Sequence, residues 1–250
     1  MPGREEMLAR IRDALGRGKA SDPGQPPDRA VLPPPRLEGV TPPIAPEELL
    51  SKFEEELSKV SGSPHRASSA AELEEILRDI LAASQTTAVV LSRNPLLEEL
   101  SLGNKLRALG ASVAEWPPAG EPAREVRDAY REACFSAAVG ITGADWALAE
   151  TGSLVLTSHS EGSQLASLAP PVHVALFRRS QLVESLDDVL ERLPIAQNPE
   201  DAAAGRSVVF VTGVSRTADI EQVLIRGVHG PRELHAILVE SECPGALPRK

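Results

Sequence analysis

The sequence predicts an α/β protein built on a doubly wound, mostly parallel sheet. Three observations support this fold class. Short apolar runs alternate with amphipathic segments from Pro46 onwards, which is the pattern of repeated strand and helix units. Glycine, proline and polar residues separate those runs. The chain has 250 residues, of which 42% are hydrophobic, and this suffices for a core of that size.

The N-terminal segment predicts an arm followed by a tether. Residues 4–16 place apolar side chains at helical spacing and end at a glycine, which indicates a short amphipathic helix. Nine prolines between Asp22 and Pro46 favour an extended connection. We therefore expect residues 1–46 to form the arm and tether and 47–250 the α/β domain. A helix this short is marginal alone, so it either docks on its own domain, docks on another subunit of a homo-oligomer, or is a disordered tail.

The first half of the α/β domain predicts alternating helices and strands. Ser69 opens one of the helices with the spacing of a capping box. Helices are expected at 47–60, from 69, at 95–109 and at 121–134, and strands at 87–91, 111–116 and 135–141.

The second half predicts more strand than helix. A pair of strands joined by a tight turn is expected within 146–157. Further strands are expected at 172–177, 207–212 and 234–240, a short helix at 185–192 and a polar connection at 194–206.

Two carboxylates, two hydroxyls and two glycines follow the predicted strand at 135–141. Open α/β sheets bind ligands where strand ends meet glycine turns, so this stretch predicts a site. Asp145 and Glu150 are the candidate catalytic groups, and the candidate ligand-binding residues are Thr142, Gly143, Thr151 and Gly152. The alternative is that Asp145 caps a turn and Glu150 points into water.

A second group of polar residues follows the predicted strand at 207–212. A glycine, hydroxyls and an expected helix start would cradle an anion, with Arg216 as the clamp. The candidate ligand-binding residues here are Gly213, Ser215, Arg216 and Asp219. His229, in a glycine-rich turn, is a candidate acid or base. An ordinary capped helix and a structural histidine are the alternatives.

Composition excludes several classes of function. A net charge of −10 and 3% aromatic residues make nucleic acid and anionic membrane surfaces poor partners. Cys134 and Cys243 are too few and too isolated to hold a zinc ion or an iron–sulfur cluster, so we expect no metal site and leave the cofactor open. Neither a signal peptide nor a membrane-spanning run is evident, which predicts a cytoplasmic protein.

The two polar groups together resemble the lactate-utilisation (LUD) domain family. The resemblance covers nearly the whole chain, and the residues that carry it are Ile141–Asp145, Ala149–Ser153, Leu168–Pro170, Val172–His173, Ser215–Glu221 and Gly227–Pro231, with Ala9–Arg12 and Ala14–Gly16 in the arm. The C-type members of this family have motifs similar to Ser215–Glu221 and Gly227–Pro231. One departure is Val214, where the family usually has proline, so the turn before Ser215 is expected to be looser.

The resemblance implies a fold similar to the ribose-5-phosphate isomerase, sugar-phosphate deaminase and CoA-transferase group. It also implies a role in oxidising L-lactate to pyruvate, as a cluster-free component beside iron–sulfur partner proteins, with a small anionic ligand in its cleft. Asp145 and Glu150 would then form the acidic side of a cleft opposite Ser215 and Arg216. Two alternatives stay open, namely an independent isomerase or acyl/CoA-transfer enzyme and an assembly scaffold.

Overall fold

The computed structural model describes residues 4–14, 43–117, 122–193, 207–220 and 223–240. The chain divides into two units, Met1–Pro42 and Pro43–Lys250. In the first unit, α1 (Arg4–Ala14) is the predicted helix of the arm. Its residues Met7, Leu8 and Ile11 are exposed. Most of the predicted tether lies outside the described residues.

The second unit contains the remaining elements. Its helices are α2 (Leu49–Lys59), α3 (Ala70–Ala83), α4 (Pro95–Glu99), α5 (Leu102–Ala108), α6 (Arg124–Ser136), α7 (Ser158–Glu161), α8 (Leu165–Leu168) and α9 (Leu186–Arg192). Its strands are β1 (Ser63–Ala67), β2 (Ala88–Leu91), β3 (Ser112–Glu115), β4 (Val139–Gly143), β5 (Trp146–Leu148), β6 (Ser153–Thr157), β7 (Val172–Phe177), β8 (Leu182–Val183), β9 (Val208–Val211), β10 (Arg216–Ile220), β11 (Val223–Arg226) and β12 (Glu233–Val239). Within the described residues, no helix has the length and apolar character needed to cross a membrane.

The main sheet has six strands in the order β1-β12-β7-β4-β2-β3, and all neighbours pair in parallel. Strands β4 and β7 are buried at every position, as expected for a parallel sheet covered on both faces. Helices α3, α4 and α5 pack on one face through leucines such as Leu73 and Leu102. Helices α2, α6 and α8 pack on the other face. The fold class predicted from the sequence is therefore confirmed.

A second sheet of four strands, in the order β8-β5-β6-β9, lies beyond the main sheet. Strands β5 and β6 form the predicted antiparallel hairpin, and β9 joins β6 in antiparallel pairing. Leu154 and Leu156 of β6 share a buried cluster with Phe53 of α2 and Phe177 of β7. This sheet therefore helps to cover one face of the main sheet.

Four local expectations need correction. The helix predicted over 95–109 is two helices, because Ser101 adopts a left-handed conformation between them (φ 50°). The strand predicted from Phe135 begins at Val139, since Phe135 lies in α6 and is 65% exposed. The helix expected after Ser215 is strand β10, which pairs with β11. The segment between the helices expected at 47–60 and from 69, for which no element is predicted, contains strand β1.

Candidate functional site

The switch point of the main sheet lies between β2 and β4. The chain continues from β2 to β3 on one side and from β4 to β7 on the other, so the connections diverge at this pair. A crevice forms outside the carboxyl ends of strands at such a point, and ligands of α/β proteins bind there. Ser92, Arg93 and Asn94 follow β2, and Ala144 and Asp145 follow β4.

A cavity of about 520 Å³ opens at this edge, a volume in the range of small-molecule sites. The residues that line it come from the ends of β2, β4 and β7 and from α4 and α7. They are Arg93, Asn94, Pro95, Leu96, Glu98, Glu99, Asp145, His159, Ser160, Arg178, Ser180 and Gln181. Of the site residues predicted from the sequence, Asp145 lines this cavity.

Two arginines bring positive charge to the cavity. Arg93 donates from Nη2 to the backbone carbonyl of His159 at 2.8 Å, a neutral acceptor that leaves its positive charge in place. Arg178 donates from Nη2 to Glu99 Oε1 at 2.7 Å and from Nη1 to the Glu240 carbonyl at 3.1 Å. Arg93 is therefore the better placed of the two to bind an anion.

Hydrogen bonds hold Asp145 firmly in the lining of the cavity. Its Oδ2 accepts from the Thr157 backbone N–H at 2.7 Å and from Ser160 Oγ at 2.8 Å. Its own N–H donates to the Val155 carbonyl at 2.8 Å, which ties it to the β5–β6 hairpin. These bonds fix the orientation of the carboxylate, so that it can accept a hydrogen bond or a proton from a ligand.

A second carboxyl group, Glu161, lies behind Asp145 and is fully buried. It accepts hydrogen bonds from Ser92 Oγ and Asn94 Nδ2, and its Oε1 lies 3.3 Å from Ser160 Oγ, whose one proton is donated to Asp145. Burial raises the pKa of Glu161 to about 7, and the nearby charge of Asp145 acts in the same direction, while the hydrogen bonds oppose it. A group with this pKa exchanges protons readily near neutral pH.

The other residues predicted beside Asp145 have structural contacts. Thr142 Oγ1 lies 2.8 Å from Nε2 of the buried His173. Burial lowers the pKa of His173 to about 3, so this imidazole is neutral. A Cβ on Gly143 would lie 2.1 Å from Asn94 Cγ, so glycine is required where β4 passes the residues after β2.

Glu150 does not meet Asp145, because the two residues lie at opposite ends of β5. Glu150 lies in the turn that joins β5 to β6, and its N–H donates to the carbonyl of Glu184, which follows β8, at 3.0 Å. The neighbouring Thr151 is exposed, and its Oγ1 lies 2.7 Å from Ser153 Oγ. Gly152 adopts φ 64° and packs against α2, where a Cβ would lie 2.1 Å from the Leu57 nitrogen. Glu150 is also absent from the cavity lining.

The second predicted group lies beside the C-terminal end of α2. Gly213 adopts φ 80°, and a Cβ there would lie 2.3 Å from the Val60 carbonyl oxygen. Arg216 is exposed and donates from Nη2 to Ser61 Oγ at 2.9 Å. The expected anion cradle at a helix N-terminus is wrong in its geometry, because β10 replaces the helix that would supply the amide groups.

The rest of this group belongs to the same region. The Ser215 N–H donates to the Pro231 carbonyl at 2.9 Å, and the Ser215 carbonyl accepts from Gly227 at 3.0 Å. Asp219 lies on β10, and His229 is exposed in the turn after β11. None of these residues lines the cavity at the switch point.

Sequence reasoning missed Arg93, Asn94 and Glu161. The signal for the first two is present, since a polar Ser-Arg-Asn run follows the predicted strand and precedes a proline that can open a helix. Glu161 lies in the polar segment at 158–164, which has no apolar periodicity. Its burial depends on how α7 folds over the strand ends, which local patterning does not encode.

The described residues contain no group of three or more histidine, cysteine, aspartate or glutamate side chains that could hold a metal ion. Cys134 is a buried free thiol whose pKa burial raises to about 11. Cys243 lies outside the described residues.

Comparisons with known proteins identify the family. The model of the LUD domain matches residues 50–239. Lactate utilization protein C of Halalkalibacterium halodurans is 29% identical over 95% of this chain and 97% of its own length. Lactate utilization protein B of Shouchella clausii is 23% identical over 77% of this chain and 48% of its own length.

A solved structure agrees with the fold. The crystal structure of a DUF162 family protein from Deinococcus radiodurans matches with a TM-score of 0.53 and 22% identity, and the match covers 79% of this chain and 99% of that one. The match to the family model covers more than half of the chain and includes every strand of the main sheet. This chain therefore belongs to the LUD domain family.

Proposed function

We propose that this chain functions in lactate utilisation and that the cavity at the switch point binds a small organic anion, with L-lactate as the first candidate. In the finer form of the proposal, the chain is the cluster-free component of a cytoplasmic system that oxidises L-lactate to pyruvate. The observation that carries the proposal is the cavity itself, where Arg93 and Asp145 face the same space.

The chemistry of an α-hydroxy acid fits this pair of residues. Its carboxylate would pair with the Arg93 guanidinium through charge-assisted hydrogen bonds. Its hydroxyl would donate to Asp145, whose orientation is fixed by Thr157 and Ser160. The volume of about 520 Å³ also leaves room for a second ligand or for a group supplied by a partner protein.

Iron–sulfur lactate-utilisation proteins are the proposed partners. The similarity along the chain to proteins named lactate utilization protein C, and the weaker similarity to one named lactate utilization protein B, support a system of several proteins. Electron transfer would then fall to a partner, and this chain would bind and orient the anion.

The independent isomerase or acyl/CoA-transfer enzyme has weaker support. A carboxylate nucleophile at Glu150 would have to act in the β5–β6 turn, away from the cavity. Asp145 remains suited to proton transfer in either function. The scaffold alternative depends on the arm, and truncation of residues 1–46 followed by a pull-down with the iron–sulfur proteins addresses it.

Growth on L-lactate tests the proposal in the cell. A strain that lacks this gene is complemented with the wild type, with Arg93→Gln and with Arg131→Gln, a matched change at an exposed arginine of α6. We expect the wild type and Arg131→Gln to restore growth and Arg93→Gln to restore it poorly. Normal growth of the deletion strain on L-lactate would contradict the role, and full rescue by Arg93→Gln would contradict the site.

A further inference from the structure

The buried carboxyl of Glu161 is connected to the cavity by a single hydroxyl group. Ser160 Oγ lies 2.8 Å from Asp145 Oδ2 and 3.3 Å from Glu161 Oε1. Asp145 and Ser160 line the cavity, whereas Glu161 is fully buried behind them. A path of two hydrogen bonds therefore joins the interior carboxyl to the carboxylate that a ligand would meet.

The partners of Glu161 hold it in one orientation. Asn94 Oδ1 accepts from the Leu96 N–H at 2.9 Å as the N-cap of α4, which turns its amide nitrogen towards Glu161 Oε1. Ser92 Oγ binds the other oxygen, Oε2. The Arg93 N–H donates to the Glu161 backbone carbonyl at 3.0 Å and fixes α7 over the strand ends. Such a fixed and desolvated carboxyl is suited to hold a proton.

We propose that Glu161 stores a proton behind the cavity and exchanges it with Asp145 through the Ser160 hydroxyl, so that the three residues form the proton relay of this site. The proposal rests on the function proposed above only in its last step, where a bound carboxylate anion draws the proton towards the cavity. Ser160 and Glu161 are positioning residues in this scheme, and Asp145 is the group that meets the ligand.

The relay balances without any further reactant. When Glu161 is protonated, its Oε1–H donates to Ser160 Oγ while the Ser160 O–H donates to Asp145 Oδ2. Concerted transfer leaves Glu161 ionised, Ser160 unchanged and Asp145 protonated. The reverse transfer carries a proton from Asp145 to the interior. One proton moves in each direction, and no bond other than O–H forms or breaks.

The charged and titratable groups around Glu161 are compatible with this exchange. Asp145, after β4, raises the pKa of Glu161, as does burial. Tyr130 of α6 interacts electrostatically with Glu161, and the pKa of its phenol is raised, mainly by burial. Arg93, after β2, directs its guanidinium to the His159 carbonyl. His159 itself is exposed on α7.

The ligand-free protein tests the stored proton directly. Protein carrying ¹³C at the glutamate side-chain carboxyl is titrated by NMR from about pH 4 to about pH 9. We expect one carboxyl carbon to titrate with a midpoint of about 7, and this signal to be lost in Glu161→Gln but kept in Glu132→Gln, an exposed control on α6. Asp145→Asn should lower that midpoint, because the charge of Asp145 raises the pKa of Glu161. If Glu161→Gln does not fold, Ser92→Ala identifies the signal instead, because loss of the Ser92 hydrogen bond should raise the midpoint. The proposal is overturned if every glutamate carbon titrates below about pH 5.5.

Proton uptake on binding tests the last step. A bound carboxylate anion raises the proton affinity of the Asp145–Glu161 pair, and Glu161 is mostly ionised at about pH 8 in the ligand-free protein. Calorimetry of L-lactate binding at this pH in two buffers of different ionisation enthalpy is therefore expected to show uptake of a fraction of a proton by the wild type and none by Glu161→Gln. Equal uptake by both proteins contradicts the relay. If lactate does not bind at all, the proposed function fails, while the NMR titration still decides whether Glu161 holds the proton.

Discussion

Glu161→Gln should change how the stability of the protein depends on pH. In the folded protein the pKa of Glu161 is about 7, compared with an ordinary value of 4.5. Because the folded pKa is raised, the folded state binds more protons than the unfolded state between these two values. Stability is therefore lost as pH rises from about 4.5 to about 7, and at 1.36 kcal/mol per pH unit the loss is roughly 3 kcal/mol.

The glutamine variant has no such titration. Its amide fits the same partners if the oxygen accepts from Asn94 and the nitrogen donates to Ser92, so we expect it to fold. Relative to the wild type, it should gain roughly 2–3 kcal/mol of unfolding free energy between about pH 5 and about pH 8.

Urea unfolding of both proteins at the two pH values measures this difference, with Glu132→Gln as the control for a surface carboxyl. If the stability difference between Glu161→Gln and the wild type is the same at both pH values to within about 0.5 kcal/mol, the argument for a buried, protonatable Glu161 is refuted.

Two further substitutions test the packing around the site. Asn94→Ala removes the N-cap of α4 and a hydrogen-bond donor to buried Glu161, and it should destabilise the protein by about 2–4 kcal/mol. Ser69→Ala removes only the exposed cap of α3 and should cost about 1 kcal/mol. Thermal unfolding compares the two variants, and equal losses of stability would contradict the role of the Glu161 contact. Gly152→Ala should destabilise the protein by more than about 1 kcal/mol, because φ is 64° and the Leu57 nitrogen lies 2.1 Å from the new Cβ. The affinity of the distant cavity for L-lactate should stay unchanged. Wild-type stability of this variant, or a loss of affinity, would count against this placement.

Much of the main sheet was predictable from local patterns. The buried run Val172–Phe177 contains no charged residue and forms β7, and Ser69 caps α3 through the Glu72 N–H as its spacing indicates. These elements depend on nearby residues, so a short window of sequence specifies them. The first strand, β1, was missed because Ser63–Ala67 contains proline, histidine and arginine instead of an apolar run.

The second sheet was not predictable in the same way. Strand β9 pairs with β6, and about fifty residues of chain separate them. Strand β10 begins Arg-Thr-Ala-Asp, a set of residues typical of a helix start, but pairing with β11 decides its conformation. Long-range pairing overrides local preference in both cases.

The candidate site was predicted in part. Asp145 follows a strand at the switch point, and the rule about strand ends applies to it directly. Glu150 is close to Asp145 in sequence, and this closeness predicts that both belong to one site. Strand β5 is extended between them and keeps the two residues apart at its opposite ends. Arg93 and Glu161 come from parts of the chain distant from Asp145, and the parallel pairing of β2 with β4 brings Arg93 to this edge.

The affinity of the purified protein for L-lactate tests the central claim most directly. Isothermal titration calorimetry should detect binding by the wild type and by Arg131→Gln with equal affinity. Loss of a charge-assisted hydrogen bond, about 1.5–3 kcal/mol, should weaken binding by Arg93→Gln by roughly 10- to 100-fold. The absence of binding to the wild type, or equal affinity of Arg93→Gln and the wild type, would contradict the assignment of this cavity as the lactate site.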